Sequence, residues 1–205
     1  MSDSAVAKTL DWIGDVGING LGFLPSAQKV AEHHRKSSKT TEEAIDSVIA
    51  WRTAYAGGTG FITGLGGIAT LPIAIPASLA SSYALGANTA AAIAILRGYN
   101  EKSDQVRTFV LLSLVGEGAT EIIKTAGISV GTKVTQNLIR QIPGKVLIEI
   151  NKKVGFRLLT KAGEKGVVNL MKFVPLVGGV VGAGFDSTFV NRCGKTAKGL
   201  FKATD

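Results

Sequence analysis

The sequence predicts an all-α protein, a compact bundle of about seven to nine helices around a central, uncharged, glycine-rich helical hairpin. The first observation behind this is the stretch from Thr53 to Leu96, in which no side chain is charged. Such a stretch must be buried in the protein's own core or in a bilayer, because a solvated apolar surface of that size would aggregate. The second observation is that Pro72 and Pro76 interrupt it, which predicts two helical arms joined by a turn.

The third observation is a glycine stripe in the first arm. Glycines recur there at steps of three, four and three residues, so they share one helix face: Gly57, Gly60, Gly64 and Gly67. Glycine costs roughly 1 kcal/mol per helical position relative to alanine, so four on one face indicate close packing against another helix. The uncharged run 173–185 repeats the pattern with Gly178 and Gly182, and it is too short to span a membrane alone.

Hydrophobic periodicity, caps and breakers divide the rest of the chain into helices. Thr40 and Glu43 form a predicted capping box, Ser103 begins a later helix, and Pro143 ends another. An amphipathic N-terminal segment, 1–18, is expected to precede a single helical domain, 19–205. In chain order the predicted helices cover residues 4–16, 26–36, 40–70, 76–96, 103–115, 119–125, 129–141 and 145–161.

Two placements of the hairpin remain open at this point. Residues 53–71 would span about 28 Å as a helix, just short of a hydrocarbon core of about 30 Å. The second arm is long enough, but its serines, Asn88 and Thr89 make it more polar than an ordinary membrane span. The hairpin is therefore expected either to lie buried inside the bundle, which could dip into the membrane, or to insert fully into the bilayer.

Positive charge is concentrated in the C-terminal part of the chain. Residues 1–123 carry 9 Lys and Arg against 11 Asp and Glu, whereas residues 124–205 carry 14 against 4. A basic half favours an anionic partner, such as lipid headgroups, nucleic acid or an acidic protein, although a solvated cationic surface has the same composition. Nucleic acid is the least favoured of these, because no reading motif and no interleaved aromatic residues accompany the charges.

The helix over 145–161 is the predicted membrane contact. Its apolar row is formed by Leu147, Ile150, Val154 and Leu158. Basic side chains surround that row, and lysine stems can extend along a membrane surface while the ammonium group stays in water. The residues expected to meet anionic headgroups are Lys145, Lys152, Lys153 and Arg157.

Motifs that resemble catalytic or ligand sites lack the context that their chemistry needs. Ser129 lies in a G-x-S-x-G pattern, but no strand precedes it and no histidine follows it, which leaves Asp186 as a conceivable partner. His33 and His34 are adjacent on a helix and point about 100° apart, so they are poor joint ligands for a metal. No metal and no cofactor are expected. Cys193 is the one cysteine, which favours a reducing compartment, and the N-terminus does not read as a secretory signal.

Four segments together resemble the EcsC family of bacterial helical proteins. They are NGLGFLPSAQKVA at 19–31, GGTGFITGLGGIATLPIAIP at 57–76, AIAILRGY at 92–99 and VPLVGGVVGAGFDSTFV at 174–190. The resemblance implies an all-helical, EcsC-like domain over 19–205. It also implies a role at the cytoplasmic face of a bacterial membrane, because the founding member of that family is encoded beside an ABC transporter. It carries over no catalytic residue.

The leading hypothesis is a non-enzymatic protein, peripheral at the cytoplasmic face of the membrane, that binds anionic lipid, a membrane protein such as a transporter, or both. One alternative is a membrane-inserting, pore-forming effector that releases the hairpin on contact with a bilayer. The other is a serine hydrolase that uses Ser129. The sequence leaves the oligomeric state open.

Overall fold

The computed structural model describes residues 3–57, 77–128, 136–161 and 178–203. Within these ranges the chain forms nine α-helices and no strand, so the prediction of an all-α bundle is confirmed. In chain order the helices are α1 (Asp3–Asn19), α2 (Ala27–Lys36), α3 (Thr41–Gly57), α4 (Ala77–Leu96), α5 (Asp104–Ser113), α6 (Gly118–Thr125), α7 (Gln136–Arg140), α8 (Gly144–Lys161) and α9 (Gly178–Leu200).

Helix α4, the second arm of the predicted hairpin, lies at the centre of the bundle. It packs against α1, α2, α3, α5 and α9, and its segment Leu79–Leu96 lies inside the protein. Thirteen of its twenty residues are Ala, Ser, Gly or Thr, and these short side chains let several helices approach it closely. The first arm is described only as far as Gly57, the end of α3, and residues 58–76 lie outside the described ranges.

Helix α1 is held against α4 by a close backbone approach and by one buried amide. A β-carbon placed on Gly17 would lie 2.5 Å from the β-carbon of Ala87 and 3.0 Å from the backbone carbon of Ala87. The Asn88 side chain donates hydrogen bonds to the carbonyl oxygens of Gly17, at 2.8 Å, and of Pro25, at 3.0 Å. α1 therefore belongs to the same core as α4, and the domain boundary predicted after residue 18 falls inside this helix.

The predicted capping box begins α3, with one difference. Thr40 Oγ1 accepts a hydrogen bond from the backbone N–H of Glu43 at 3.1 Å, as expected. The Glu43 carboxylate accepts from the backbone N–H of Lys39, one residue before the cap, at 2.8 Å. Two unpaired N–H groups near the helix start are satisfied in this way, so the sequence signal and the helix boundary agree.

Ion pairs join the start of α3 to the ends of α4 and α9. Glu42 pairs with Arg97, just after α4. Lys198 in the last turn of α9 lies 3.4 Å from the Glu42 carboxylate and 2.5 Å from the Asp46 carboxylate. These contacts fix three helices at one end of the bundle, although exposed pairs of this kind each contribute only about 0.2–1 kcal/mol.

Candidate functional site

Helix α8 presents apolar side chains on both of its long faces. The apolar row of Leu147, Ile150, Val154 and Leu158, which was predicted to lie against the membrane, is instead buried in the protein core. On the opposite side Ile148 is 59% exposed and Phe156 is 64% exposed. Lys145 and Lys152 share their side of the helix, because steps of three, four and four residues return to one face. We call these four residues, Lys145, Ile148, Lys152 and Phe156, the α8 outer face.

The other two predicted membrane contacts lie at the flank of α8 and have partners within the protein. Lys153 Nζ lies 2.8 Å from the Glu149 carboxylate and donates a hydrogen bond to Thr125 Oγ1 at 3.0 Å. Arg157 pairs with Glu121 on α6 at 2.5 Å. Their charges are therefore matched by neighbouring acids. Lys145 and Lys152 lie on the exposed side of the same helix.

A groove of about 720 Å³ opens between α1, α5 and α8 and borders the α8 outer face. Ile148, Lys152 and Phe156 belong both to the outer face and to the groove wall. Ligand sites in proteins typically have volumes of roughly 300–1,000 Å³ and mostly apolar walls with a few polar groups. Apolar side chains from all three helices line this groove: Val6, Leu10, Leu111, Leu147, Ile148, Phe156 and Leu159.

The polar groups of the groove differ in how well they are paired. Arg107 on α5 donates to the Asp15 carboxylate at 2.5 Å and to the Asp11 carbonyl at 2.6 Å, so it joins α5 to α1. Asn151 on α8 also lines the groove, and its Oδ1 atom is buried and has no hydrogen-bond partner among the described residues. Buried polar atoms are nearly always paired in folded proteins, so an unpaired acceptor in a groove wall indicates a place for a donor.

Helices α1 and α8 approach each other closely beside the groove. A β-carbon placed on Gly155 would overlap the side chain of Val6 and lie 3.3 Å from Leu10 Cδ1. The close approach therefore depends on the missing side chain of Gly155, and all three residues line the groove. The predicted glycine stripe did not include this position.

The predicted packing glycines are described only in part. Gly57 ends α3, and a β-carbon there would lie 2.8 Å from the Ser187 hydroxyl of α9. Gly178 and Gly182 lie in the first turns of α9, where the helical backbone is described. Gly60, Gly64 and Gly67 fall outside the described ranges, so the stripe as a whole stays a prediction.

Of the proposed serine–aspartate dyad, only Asp186 lies in the part of the chain that the structure describes. Asp186 accepts a hydrogen bond from the Ser82 hydroxyl of α4 at 2.5 Å. Burial raises the pKa of its carboxyl group above the usual range, while the hydrogen bond from Ser82 acts in the opposite direction. Ser129 lies outside the described ranges, so hydrolysis at this residue stays a prediction.

Arg52 on α3 is a buried cation that the sequence did not single out. It is 2% exposed, and its guanidinium carbon lies 5.9 Å from the ring centroids of both Trp51 and Tyr55. Burial lowers its pKa to about 10, so the group remains charged at neutral pH. The two rings supply a cation–π contribution in place of a carboxylate, and the arginine has little surface with which to meet a ligand.

One helix in the described part of the chain meets the length and composition needed to cross a membrane. Among the described residues only α4 is long and apolar enough to cross a bilayer, and the segment concerned, Leu79–Leu96, lies inside the bundle. An apolar helix in the core of a globular protein meets the same criterion. The exposed apolar side chains described above are therefore on α8 and not on α4.

Comparison with known proteins places the chain by family. The model of the EcsC protein family matches residues 4–203, which include all nine helices apart from the first residue of α1. Neither a curated protein nor a solved structure matched the chain.

Proposed function

The chain belongs to the EcsC protein family, and we propose that it is a non-enzymatic protein that binds anionic membrane surfaces through the α8 outer face. The cytoplasmic leaflet of a membrane carries negative surface potential, so a cationic contact face of this kind suits a peripheral position there. The proposed ligand is the anionic lipid surface itself, and a membrane protein bound at the same surface is compatible with this role.

The observation that carries this function is the alternation of cationic and exposed apolar residues on one side of α8. Ile148 and Phe156 are both more than half exposed, and Lys145 and Lys152 stand beside them on the same face. A helix that lies in the membrane interface needs this pairing, because the apolar side chains enter the headgroup boundary while the cations meet lipid phosphates.

The expected strength of binding is modest. Each of the two apolar side chains contributes roughly 1–2 kcal/mol when it leaves water. Each of the two lysines contributes about 1 kcal/mol near an anionic surface. The sum of about 4–6 kcal/mol corresponds to dissociation constants between roughly millimolar and tens of micromolar, so association should be reversible and salt-sensitive.

The decisive experiment is vesicle flotation with charge-matched variants. Lys145→Gln/Lys152→Gln removes two charges from the outer face, and Lys153→Gln/Arg157→Gln removes two from the flank of the same helix. We expect the first variant to lose about tenfold or more in affinity for anionic vesicles, and the second to keep most of its affinity. Equal losses in both variants would mean that net charge alone drives binding, and the outer face would then have no special role.

Salt and lipid composition separate surface binding from insertion. Surface binding should require anionic lipid and weaken at high salt, because screening shortens the range of the interaction. Binding that resists high salt and releases an encapsulated dye would instead support the membrane-inserting alternative, in which α4 leaves the core. No binding to any vesicle would contradict the proposed function outright.

A further inference from the structure

We infer that the groove between α1, α5 and α8 binds one lipid chain, and that its ligand is a single-chain anionic lipid with a hydroxyl group beside the chain, as in a lysophospholipid. This inference rests on the proposed function, because it takes the α8 outer face to lie against lipid. It goes further in assigning a separate, stoichiometric binding site to the protein.

The shape and lining of the groove favour an acyl chain. Its volume of about 720 Å³ and its aliphatic and aromatic walls suit an apolar ligand of moderate size. Gly155 brings α8 close to Val6 of α1 beside the groove, which favours one acyl chain over two. A single chain requires only the space that already exists between the three helices.

The position of the charges fixes the orientation of that lipid. Lys152 lies both on the exposed side of α8 and on the groove wall, where it can meet an anionic headgroup at the entrance. Arg107 and Asp11 pair with each other across the wall between α1 and α5, so neither presents an unmatched charge to the chain. Because Lys152 is exposed and lines the groove, the headgroup should lie at the α8 side of the entrance.

Asn151 supplies the reason to expect a hydroxyl group. Its Oδ1 atom is buried and accepts no hydrogen bond from the described residues, although it belongs to the groove wall one residue before Lys152. A lipid hydroxyl close to the phosphate could donate to this oxygen while the phosphate meets Lys152. A diacyl lipid whose headgroup carries no hydroxyl, such as phosphatidic acid, has no such donor, because both free positions of its glycerol are esterified. For lipids of that kind the acceptor distinguishes one acyl chain from two.

The first test uses the full chain and monomeric myristoyl lysophosphatidic acid, whose only carbon-bound hydroxyl is the one beside the chain, below the concentration at which it forms micelles. Isothermal titration calorimetry should show saturable binding at about one lipid per protein. Ala7→Trp should weaken this binding by about tenfold or more, because Ala7 is exposed and lines the groove, so the indole ring would occupy its entrance. Ala50→Trp is the matched control, since Ala50 is exposed on α3, away from the groove.

A second variant tests the hydrogen bond. Asn151→Leu should weaken binding of the lysolipid by about fivefold, and it should not change binding of the analogue that lacks the free hydroxyl. Circular dichroism should show that all three variants keep their helical content. If the lysolipid and its deoxy analogue bind the wild-type protein equally well, the role assigned to Asn151 is wrong.

The two proposals can fail separately. If wild-type protein floats with anionic vesicles but binds no monomeric lysolipid, the groove site is wrong and the surface-binding function stands. If Ala7→Trp binds the lysolipid as well as Ala50→Trp does, the lipid adsorbs to the surface and the groove site is wrong. If Ala7→Trp loses the lysolipid but still floats with vesicles, the groove is a site distinct from the outer face.

Discussion

Helices α4 and α8 have similar lengths, 20 and 18 residues, and opposite relations to solvent. α4 carries no charge and lies inside the bundle, whereas α8 carries several lysines and exposes Ile148 and Phe156. Among the described residues, the segment most suited to a membrane is therefore in the core of the protein, and a charged helix carries two of the four large hydrophobic side chains that are exposed. Hydropathy predicts that a segment is buried away from water. The packing of the helices then determines whether protein or lipid covers it.

The small side chains of α4 explain this difference. Alanine, glycine and serine contribute little apolar area each, but they allow backbones to come close, so five helices surround α4. α8 contacts the bundle mainly along one row, from Leu147 to Leu158, and its opposite side has no helix packed on it among the described residues. Ile148 and Phe156 on that side are both more than half exposed to solvent.

The largest effect should come from placing a charge on each helix in turn. Ala91→Asp in α4 puts a carboxylate at a position with no solvent exposure. An unpaired buried charge costs several kcal/mol, comparable with the total stability of a typical domain of 5–15 kcal/mol, so we expect little folded protein. Ile148→Asp in α8 should change the free energy of unfolding by no more than about 0.5 kcal/mol and abolish flotation with anionic vesicles.

Soluble yield and thermal unfolding by circular dichroism would check the first change, and flotation would check the second. A well-folded Ala91→Asp protein that binds vesicles more tightly would show that α4 is not held in the core. An unfolded Ile148→Asp protein would show that the outer face is part of the packed interior.

Close packing around α4 can be tested with two alanine substitutions in helices. Gly17→Ala places a methyl group 2.5 Å from Ala87 Cβ and 3.0 Å from a backbone carbon, which cannot move cheaply. We expect overpacking to exceed the gain in helix propensity and to lower the free energy of unfolding by about 2 kcal/mol. Denaturant titration monitored by circular dichroism would measure the change.

Gly199→Ala is the matched control for that experiment. A β-carbon at Gly199, near the end of α9, meets nothing within 4 Å. It should therefore raise stability by about 0.5 kcal/mol through helix propensity alone. Equal effects of the two substitutions would mean that α1 does not approach α4 closely in solution.

The start points of several helices could be predicted from local chemistry. The predicted helix over 76–96 matches α4 at Ala77–Leu96, and that over 145–161 matches α8 at Gly144–Lys161. Prolines and capping residues act within a few positions of themselves, so their effects can be predicted from one segment at a time. Ser26 and Ser103, each predicted to begin a helix, likewise cap α2 and α5 by accepting a hydrogen bond from a backbone N–H group in the first turn.

The site depends on contacts between distant segments, which local patterns do not report. The Glu149–Lys153 pair is four residues apart and visible in the sequence, but the Glu121–Arg157 pair joins α6 to α8. The groove requires α1, α5 and α8 to meet, and a helical pattern does not specify its neighbours. Ile148, Lys152 and Phe156 are four residues apart, a spacing that places them on one helix face. The row from Leu147 to Leu158 is the stronger apolar pattern in the same helix, so this second face was not predicted.

The smallest effect concerns Asp186, whose carboxylate accepts a hydrogen bond from Ser82 of α4. Burial raises the pKa of Asp186 above its unfolded value, so its stabilising contribution is greatest below that unfolded value and is lost as pH rises through the folded pKa. Asp186→Asn removes this dependence and keeps an acceptor for Ser82. We expect its thermal midpoint to equal that of wild type near about pH 4 or below and to exceed it slightly near about pH 7. A difference that is largest in acid would contradict the assigned direction.

Hydrogen–deuterium exchange with and without anionic vesicles tests the central claim most directly, because it reports on both helices in one experiment. Vesicles should slow exchange in peptides from α8, residues 144–161, and leave the already slow exchange of α4, residues 77–96, unchanged. Faster exchange in α4 on vesicle binding, with no protection of α8, would contradict the account and show that the uncharged helix leaves the core to enter the membrane.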